Sequence, residues 1–139
     1  MKDYFPEGFT CRGLEPGRIL HDCGLSVFDP AMHAILNLGR EEFGRPIILN
    51  STCRCKAHNA AVGGARHSAH LVGPDGLCHG VDIKVLSDIT RAILYKIFYD
   101  LGIRRFEVSN LHLHIDNAAW LPTPLLASVT FKGAVVETQ

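Results

Sequence analysis

The strongest constraint on the fold is a strict alternation of apolar and titratable residues in the segment 111–116. The two sets are Leu111, Leu113 and Ile115 against His112, His114 and Asp116. Successive side chains of a β-strand point to opposite faces, so one face would pack on a core and the other would carry three titratable groups. The segment 80–85, GVDIKV, repeats this pattern with Asp82 and Lys84. Together they predict a sheet with one apolar and one chemically active face.

Two helices are predicted from their boundary residues. Asp29, followed by proline, is a good N-cap, and Gly44 is a good stop for a helix that starts there. A second helix is predicted over 87–100, with Ser87 or Asp88 as its cap and a broad apolar face.

The remaining elements are short. Strands are predicted at 46–51 and 103–108, a helical turn at 55–62, and a hairpin around Lys132-Gly133 in the C-terminal tail. Residues 1–28 are rich in glycine, proline and polar groups and are expected to form an irregular arm. The mixture predicts an α+β fold, a mainly antiparallel sheet with helices packed on it, in one domain over residues 1–139.

Composition narrows the function. The formal net charge is zero, which argues against a nucleic-acid partner because such proteins carry a basic surface. The chain contains no apolar run long enough for a membrane span, and its first residues do not resemble a signal peptide. We therefore expect a monomer that is made in the cytoplasm and does not insert into membranes.

Three residues suit a metal centre. His70 lies in a glycine-flanked loop, Asp82 on the strand that follows it, and His114 on a later strand. Two imidazoles and a carboxylate are common ligands of Zn²⁺, and three protein ligands leave a fourth position for water, as in catalytic sites. From the residues alone, solvated or hydrogen-bonded side chains are the more common interpretation of such residues.

The five cysteines offer a competing metal site. They are Cys11, Cys23, Cys53, Cys55 and Cys78. The first four can be imagined as a structural zinc site, but none shows the spacing of zinc fingers. Reduced thiols in or near the core are the simpler interpretation.

A series of motifs resembles the M15 peptidases, the zinc D-alanyl-D-alanine carboxypeptidase family, and in particular its short phage-type branch. The motifs are STCR at 51–54, HNAAVGGA at 58–65, SAHLVG at 68–73, GVDI at 80–83 and HID at 114–116. They occur in the family's order, and the similarity extends from about residue 29 to residue 117, roughly two thirds of the chain.

The resemblance implies a hedgehog/DD-peptidase fold and a zinc peptidase. It implies that His70, Asp82 and His114 bind Zn²⁺, that Arg54 binds a substrate carboxylate or steadies the oxyanion, and that Ser68 lies on the substrate side. The implied substrate is a bacterial peptidoglycan peptide, cut at a D-Ala-D-Ala bond or at an internal bond such as L-Ala-D-Glu. A phage or prophage lytic enzyme released to the wall by another factor fits this description.

Two departures from the family pattern stand out. Eleven residues, 71–81, separate His70 from Asp82, more than is usual in the family, and they bring His79 near the site. His79 could compete as a ligand, although a surface histidine of the loop is the more common interpretation. Many relatives also have a carboxylate three residues before the last ligand, where this chain has Leu111.

The identity of the catalytic base is therefore open. The candidates are Asp116 and Glu107, with His112 as a stabiliser of the transition state. Asp116 can instead orient a metal ligand. The missing carboxylate at Leu111 also motivates a second hypothesis, a non-catalytic zinc-containing module of the same fold that binds the cell wall.

Overall fold

The computed structural model describes residues 2–11, 14–15, 18–19, 25–129 and 135–137. Its strands are β1 Leu14–Glu15, β2 Arg18–Ile19, β3 Leu49–Ser51, β4 Gly80–Lys84, β5 Arg105–Val108, β6 His112–Asp116, β7 Leu125–Val129 and β8 Val135–Glu137. Its helices are α1 Pro30–Phe43, α2 Lys56–Ala61 and α3 Asp88–Asp100. The described part of the chain has no helix long and apolar enough to cross a bilayer.

The helix boundaries follow the predicted capping residues. The Asp29 side chain accepts a hydrogen bond from the backbone N–H of Met32, and Gly44 ends α1 in the left-handed region at φ 73°. The Ser87 side chain caps α3 in the same way, through the backbone N–H of Thr90. The start of both long helices is therefore confirmed.

Six strands form one sheet in the order β3-β4-β6-β5-β7-β8. Four of its five pairings are antiparallel, and only β5 and β7 run parallel. The predicted α+β class with a mainly antiparallel sheet is confirmed in this form. The C-terminal hairpin strands pair as expected, but its predicted turn at Lys132-Gly133 lies outside the described residues.

Several strands are shorter than their apolar patterns. The run 46–51 contributes only Leu49–Ser51, and residues 103–104 precede β5 rather than belonging to it. Ile48 still accepts a hydrogen bond from Lys84 N–H through its carbonyl (2.8 Å), so the pairing continues one residue beyond β3 as irregular backbone.

The two faces of the sheet differ as the alternation predicts. Val81, Ile83, Leu113 and Ile115 are almost completely buried in the apolar core. Helices α1 and α3 supply the other side of this core through residues such as Leu36 and Phe98. The opposite face of the same strands carries polar residues, among them Asp82 and His114.

The predicted irregular arm contains some regular structure. β1 and β2 form a two-stranded antiparallel pair, which the sequence did not indicate. Further along, Phe28 forms a parallel bridge with Cys78. The N–H of Cys78 donates to the carbonyl of Val27 (2.8 Å), and the N–H of Asp29 donates to the carbonyl of Cys78 (2.9 Å). The end of the arm is thus paired with the segment that precedes β4.

Candidate metal centre

Three buried side chains converge on the polar face of the sheet. His114 Nδ1 lies 2.9 Å from Asp82 Oδ1 and 3.2 Å from His70 Nε2. His70 Nε2 lies 3.2 Å from the same Asp82 oxygen. Each residue is no more than 6% exposed. In the described part of the chain, this is the only group of three potential metal ligands whose ligand atoms lie so close together.

Strand register and one loop bring these residues together. Asp82 on β4 lies directly opposite His114 on β6, so both side chains project from the same face. His70 comes from the loop before β4, whose backbone is held by a hydrogen bond from the N–H of Arg54 to the carbonyl of His70 (2.9 Å). The Ser68 hydroxyl accepts a hydrogen bond from the N–H of His70 (3.1 Å).

Each of the two histidines is oriented by a hydrogen bond from the ring nitrogen that faces away from the cluster. His70 Nδ1 lies 2.6 Å from the carbonyl oxygen of Thr52. A carbonyl only accepts, so Nδ1 carries the hydrogen and Nε2 is left with a lone pair toward the cluster. His114 Nε2 donates in the same sense to Asp116 Oδ2 (2.7 Å), which directs Nδ1 toward the cluster. Such partners fix the tautomer of metal-binding histidines.

Two arginines orient the carboxylates. Arg54 donates to Asp82 Oδ2 (3.0 Å), which leaves Asp82 Oδ1 facing the histidines. Arg105 donates to Asp116 Oδ1 (2.8 Å), and this pair is fully buried on the Asp116 side. Both carboxylates therefore have one oxygen occupied by an arginine and the other directed at a histidine.

The electrostatics of the cluster favour a bound cation. Burial alone would lower the pKa of His114, but hydrogen bonds to Asp116 and Asp82 outweigh it and raise this pKa to about 10. Burial lowers the pKa of His70. Burial works against ionisation of Asp82, yet the charges and hydrogen bonds of His70 and His114 keep its pKa well below the usual range. The surroundings of the three ligand atoms thus favour a positive charge between them, carried by a proton or by a metal ion.

The spacing fits zinc. At a Zn–N distance of about 2.0–2.1 Å, two ligand atoms of a tetrahedral site lie about 3.3 Å apart. The three separations of 2.9, 3.2 and 3.2 Å approach that value before any ion draws the ligands into place. Two imidazole nitrogens and one carboxylate oxygen are also a donor set that zinc accepts.

A family comparison agrees with this geometry. A family model described as peptidase M15 matches residues 10–116, which is more than half of the chain. The chain belongs to the peptidase M15 family. Neither the curated proteins nor the solved structures gave a match. Peptidase M15 proteins are zinc-dependent, so membership supports a metallopeptidase whose metal would lie at the His-Asp-His cluster.

In this member of the M15 family, Arg54 contacts three partners inside the protein. Besides Asp82, it donates to the Ser51 hydroxyl (3.0 Å) and to the Asn59 side-chain oxygen (3.2 Å). A Cβ atom on Gly64 would lie 2.1 Å from that Asn59 oxygen, so only glycine fits there. The predicted contact of Arg54 with substrate remains a prediction, while its contact with Asp82 was not foreseen.

His79 lies outside the cluster. Its Nδ1 is 2.6 Å from the Asn117 side-chain oxygen, and its Nε2 is 2.7 Å from an Asp75 oxygen. Asp29 lies 3.4 Å from Nδ1 and also receives a hydrogen bond from Asn117 (2.9 Å). Both ring nitrogens thus face protein oxygens. The loop 71–81 therefore contacts the start of α1 through His79 and Asp29, and it supplies no ligand to the cluster.

The structure separates the three candidate catalytic residues, the two possible bases Asp116 and Glu107 and the possible transition-state stabiliser His112. Asp116 has no exposed surface and lies behind His114, a position that matches the orienting role left open by the sequence. Glu107 on β5 is half-buried and lies directly opposite His114, so its side chain emerges on the same face. His112 is half-buried and paired with Lys84, further along β6.

The cysteines are distributed without a metal cluster in the described residues. Cys11, Cys53 and Cys78 are buried, while Cys55 is the half-buried N-cap of α2. Cys23 lies outside the described residues. A hydrogen bond with Cys53, together with burial, raises the pKa of Cys78, so this thiol stays protonated. Core thiols are the interpretation that the described cysteines support.

A cleft of about 880 Å³ opens beside the cluster, with Arg54 and Ser68 on its edge. Trp120 lies against Gly73 so closely that a Cβ there would be 2.1 Å from the ring, and it forms an edge-to-face contact with His79.

The sequence analysis did not identify three residues of the site and its surroundings, Trp120, Arg105 and Asn59. The alternation of 103–108 put Arg105 on the face of Glu107, and this signal could have identified it.

Proposed function

We propose that the protein is a zinc peptidase that hydrolyses an amide bond in bacterial peptidoglycan peptides. The observation that carries this proposal is the convergence of His70 Nε2, Asp82 Oδ1 and His114 Nδ1 within 3.2 Å, each directed by a partner behind it. Membership of the peptidase M15 family supports the reaction class. The bond cut is a terminal D-Ala-D-Ala bond or an internal bond such as L-Ala-D-Glu, and cleavage of an internal bond would give the protein a lytic role at the cell wall.

The residues of the chain divide the work. A zinc ion held by His70, Asp82 and His114 would supply Lewis-acid chemistry, which polarises a carbonyl and lowers the pKa of water. Glu107, opposite His114 on the same face, is the proposed proton acceptor and later donor to the leaving amine. Arg54 keeps the Asp82 carboxylate aimed at the cluster. Ser68 holds the His70 loop and borders the cleft.

Glu107 also bears on the alternative of a non-catalytic wall-binding module. That hypothesis rested on Leu111, which occupies the position of the usual carboxylate. A half-buried carboxylate on the neighbouring strand, directly across from His114, offers a replacement from a different position in the sequence. The geometry therefore favours the peptidase.

The deciding experiment combines zinc content with hydrolysis of purified peptidoglycan, followed as newly released amino groups. Wild-type protein is expected to hold one zinc and to release amino groups, and His114→Ala is expected to lose both. His79→Ala is the matched control, because His79 is a buried histidine outside the metal cluster. This variant should keep its zinc. A wild-type protein that binds zinc and the wall but releases no amino groups would identify the binding module instead.

Glu107→Gln refines the test. This variant should keep its zinc and lose about 10²–10⁴-fold in hydrolysis rate, the usual contribution of a general base. Full activity in Glu107→Gln would remove Glu107 from the mechanism while leaving the zinc peptidase in place.

A further inference from the structure

The cleft beside the metal centre has an uneven distribution of charge. Three permanent cations line it, Arg54, Lys56 and Arg66, together with His67. Among the described residues, no aspartate or glutamate lines it. The chain as a whole carries equal numbers of acidic and basic residues, so this local excess is not a reflection of composition. A cleft lined by one sign of charge attracts a ligand of the opposite sign.

Arg54 does not account for the attraction. Its guanidinium is half-buried and bonded to Asp82, so the two opposite charges largely cancel. Lys56 and Arg66 differ because both are exposed, and neither forms an ion pair with another described residue. Both line the cleft together with Arg54, Lys56 as the first residue of α2 and Arg66 in the loop between α2 and β4. Their charges face the cleft uncompensated within the described structure.

The rest of the cleft lining is largely apolar. It includes Leu71, Val72, Trp120, Leu121 and Pro122. Trp120 is held in place by its contacts with Gly73 and His79, yet 37% of its surface stays exposed. A rigid aromatic side chain that is partly exposed beside a cationic rim suits a ligand with an aliphatic part and a separate negative charge.

We propose that Lys56 and Arg66 form a recognition site for a substrate carboxylate, so that the enzyme selects anionic peptides. This inference rests on the proposed peptidase function and names the substrate class of the same site. The carboxylate that they bind belongs to a residue away from the cut bond, and the aliphatic part of the peptide lies against Trp120. Arg54 and Ser68 mark where this cleft meets the metal centre.

The test uses the zinc-loaded protein and two peptides that differ in one group, a side-chain carboxylate in one and the corresponding carboxamide in the other. Binding is followed by the fluorescence of Trp120, the only tryptophan of the chain. Hydrolysis is followed separately by released amino groups. The carboxylate peptide is expected to bind about threefold to tenfold more tightly, the range of a partly exposed charge-assisted contact, and added salt should reduce this preference.

Variants of Lys56 and Arg66 test whether these two residues cause the preference for the carboxylate peptide. Lys56→Gln combined with Arg66→Gln should abolish the preference for the carboxylate peptide while leaving zinc content unchanged. Lys96→Gln, which removes an exposed lysine of α3 paired with Asp100, is the matched control and should keep the preference. A preference that survives in the double variant would overturn the assignment to Lys56 and Arg66.

Failure of this inference is distinguishable from failure of the proposed function. Equal binding and equal hydrolysis of both peptides by wild-type protein would overturn the selection of anionic peptides and leave the peptidase intact. A carboxylate preference in fluorescence without hydrolysis of either peptide would support the recognition site and contradict the peptidase.

Discussion

The protein has two buried polar clusters that contain histidine, the metal cluster and the cluster around His79. They differ in the atoms that the ring nitrogens face. In the metal cluster, His70 Nε2 and His114 Nδ1 face each other and a carboxylate oxygen. Around His79, each nitrogen faces an oxygen of Asn117, Asp75 or Asp29. In the second arrangement protein oxygens face both ring nitrogens, so neither nitrogen offers a free lone pair to a metal ion. The first brings lone pairs together and requires a proton or a metal ion between them.

The difference shows why nearness in sequence is a poor guide to a metal ligand. His79 is three residues from Asp82, and it was a reasonable competitor on spacing. What separates it from His114 is the set of partners behind each ring.

The largest effect is expected from Asp116→Asn. An amide can donate to His114 Nε2, which would move the ring hydrogen to Nδ1 and remove the lone pair from the cluster. Zinc affinity should fall about 10–100-fold, the usual cost of losing an orienting partner. Competition with a chromogenic chelator measures it. Asp75→Asn, the corresponding change beside His79, should leave zinc affinity unchanged, and an equal loss in both variants would erase the contrast between the clusters.

The second prediction concerns stability. His79→Ala removes a buried side chain and takes away the partner of the Asn117 side-chain oxygen, so the free energy of unfolding should fall by about 1–3 kcal/mol. Denaturant titration of zinc-loaded protein measures the change. Zinc content should stay stoichiometric. Loss of zinc from this variant would show that His79 acts on the metal after all.

A third prediction separates a proton from a metal ion at His114. The folded-state pKa of about 10 lies above the ordinary value of 6.5, so the protonated ring stabilises the metal-free fold fully below pH 6.5, and this contribution is lost as pH rises toward 10. The melting temperature of metal-free protein should therefore decline by a few degrees between pH 7 and 10. Zinc-loaded protein should not show this decline, because the ion replaces the proton. Parallel slopes would contradict the proposed exchange.

The smallest effect is expected from Cys55→Ser. Serine is itself a good N-cap, so α2 should keep its capping hydrogen bond from His58 N–H. Zinc content and the melting temperature should match those of wild-type protein. Loss of zinc here, with zinc retained in His114→Ala, would revive the structural cysteine site that the sequence left open.

Much of this architecture was predictable because its signals are local. The capping residues Asp29 and Ser87 fixed the starts of the long helices, and the alternation in 111–116 identified the two faces of β6. Whether Glu107 shares a face with His114 depended on the register of β5 against β6, which no local pattern determines.

The partners that orient the site were the least predictable part. Arg105 meets Asp116 only through strand pairing, and Thr52 contributes a backbone carbonyl, which leaves no trace in residue type. Trp120 reaches the cleft from a segment beyond β6 that has no helix or strand pattern. Such long-range contacts require the fold itself.

The pairing of Cys78 with the segment Val27–Asp29 couples local unfolding of the N-terminal arm to unfolding of the loop beside the metal centre. Two backbone hydrogen bonds and the contacts of Asp29 with His79 and Asn117 connect the entrance of α1 to the loop between His70 and Asp82. If these bonds break and form together, the arm and this loop constitute one cooperative unit of hydrogen exchange. Amides of Cys78 and Asp29 should then exchange at similar rates, and a bound ion should slow both, although neither residue contributes a ligand.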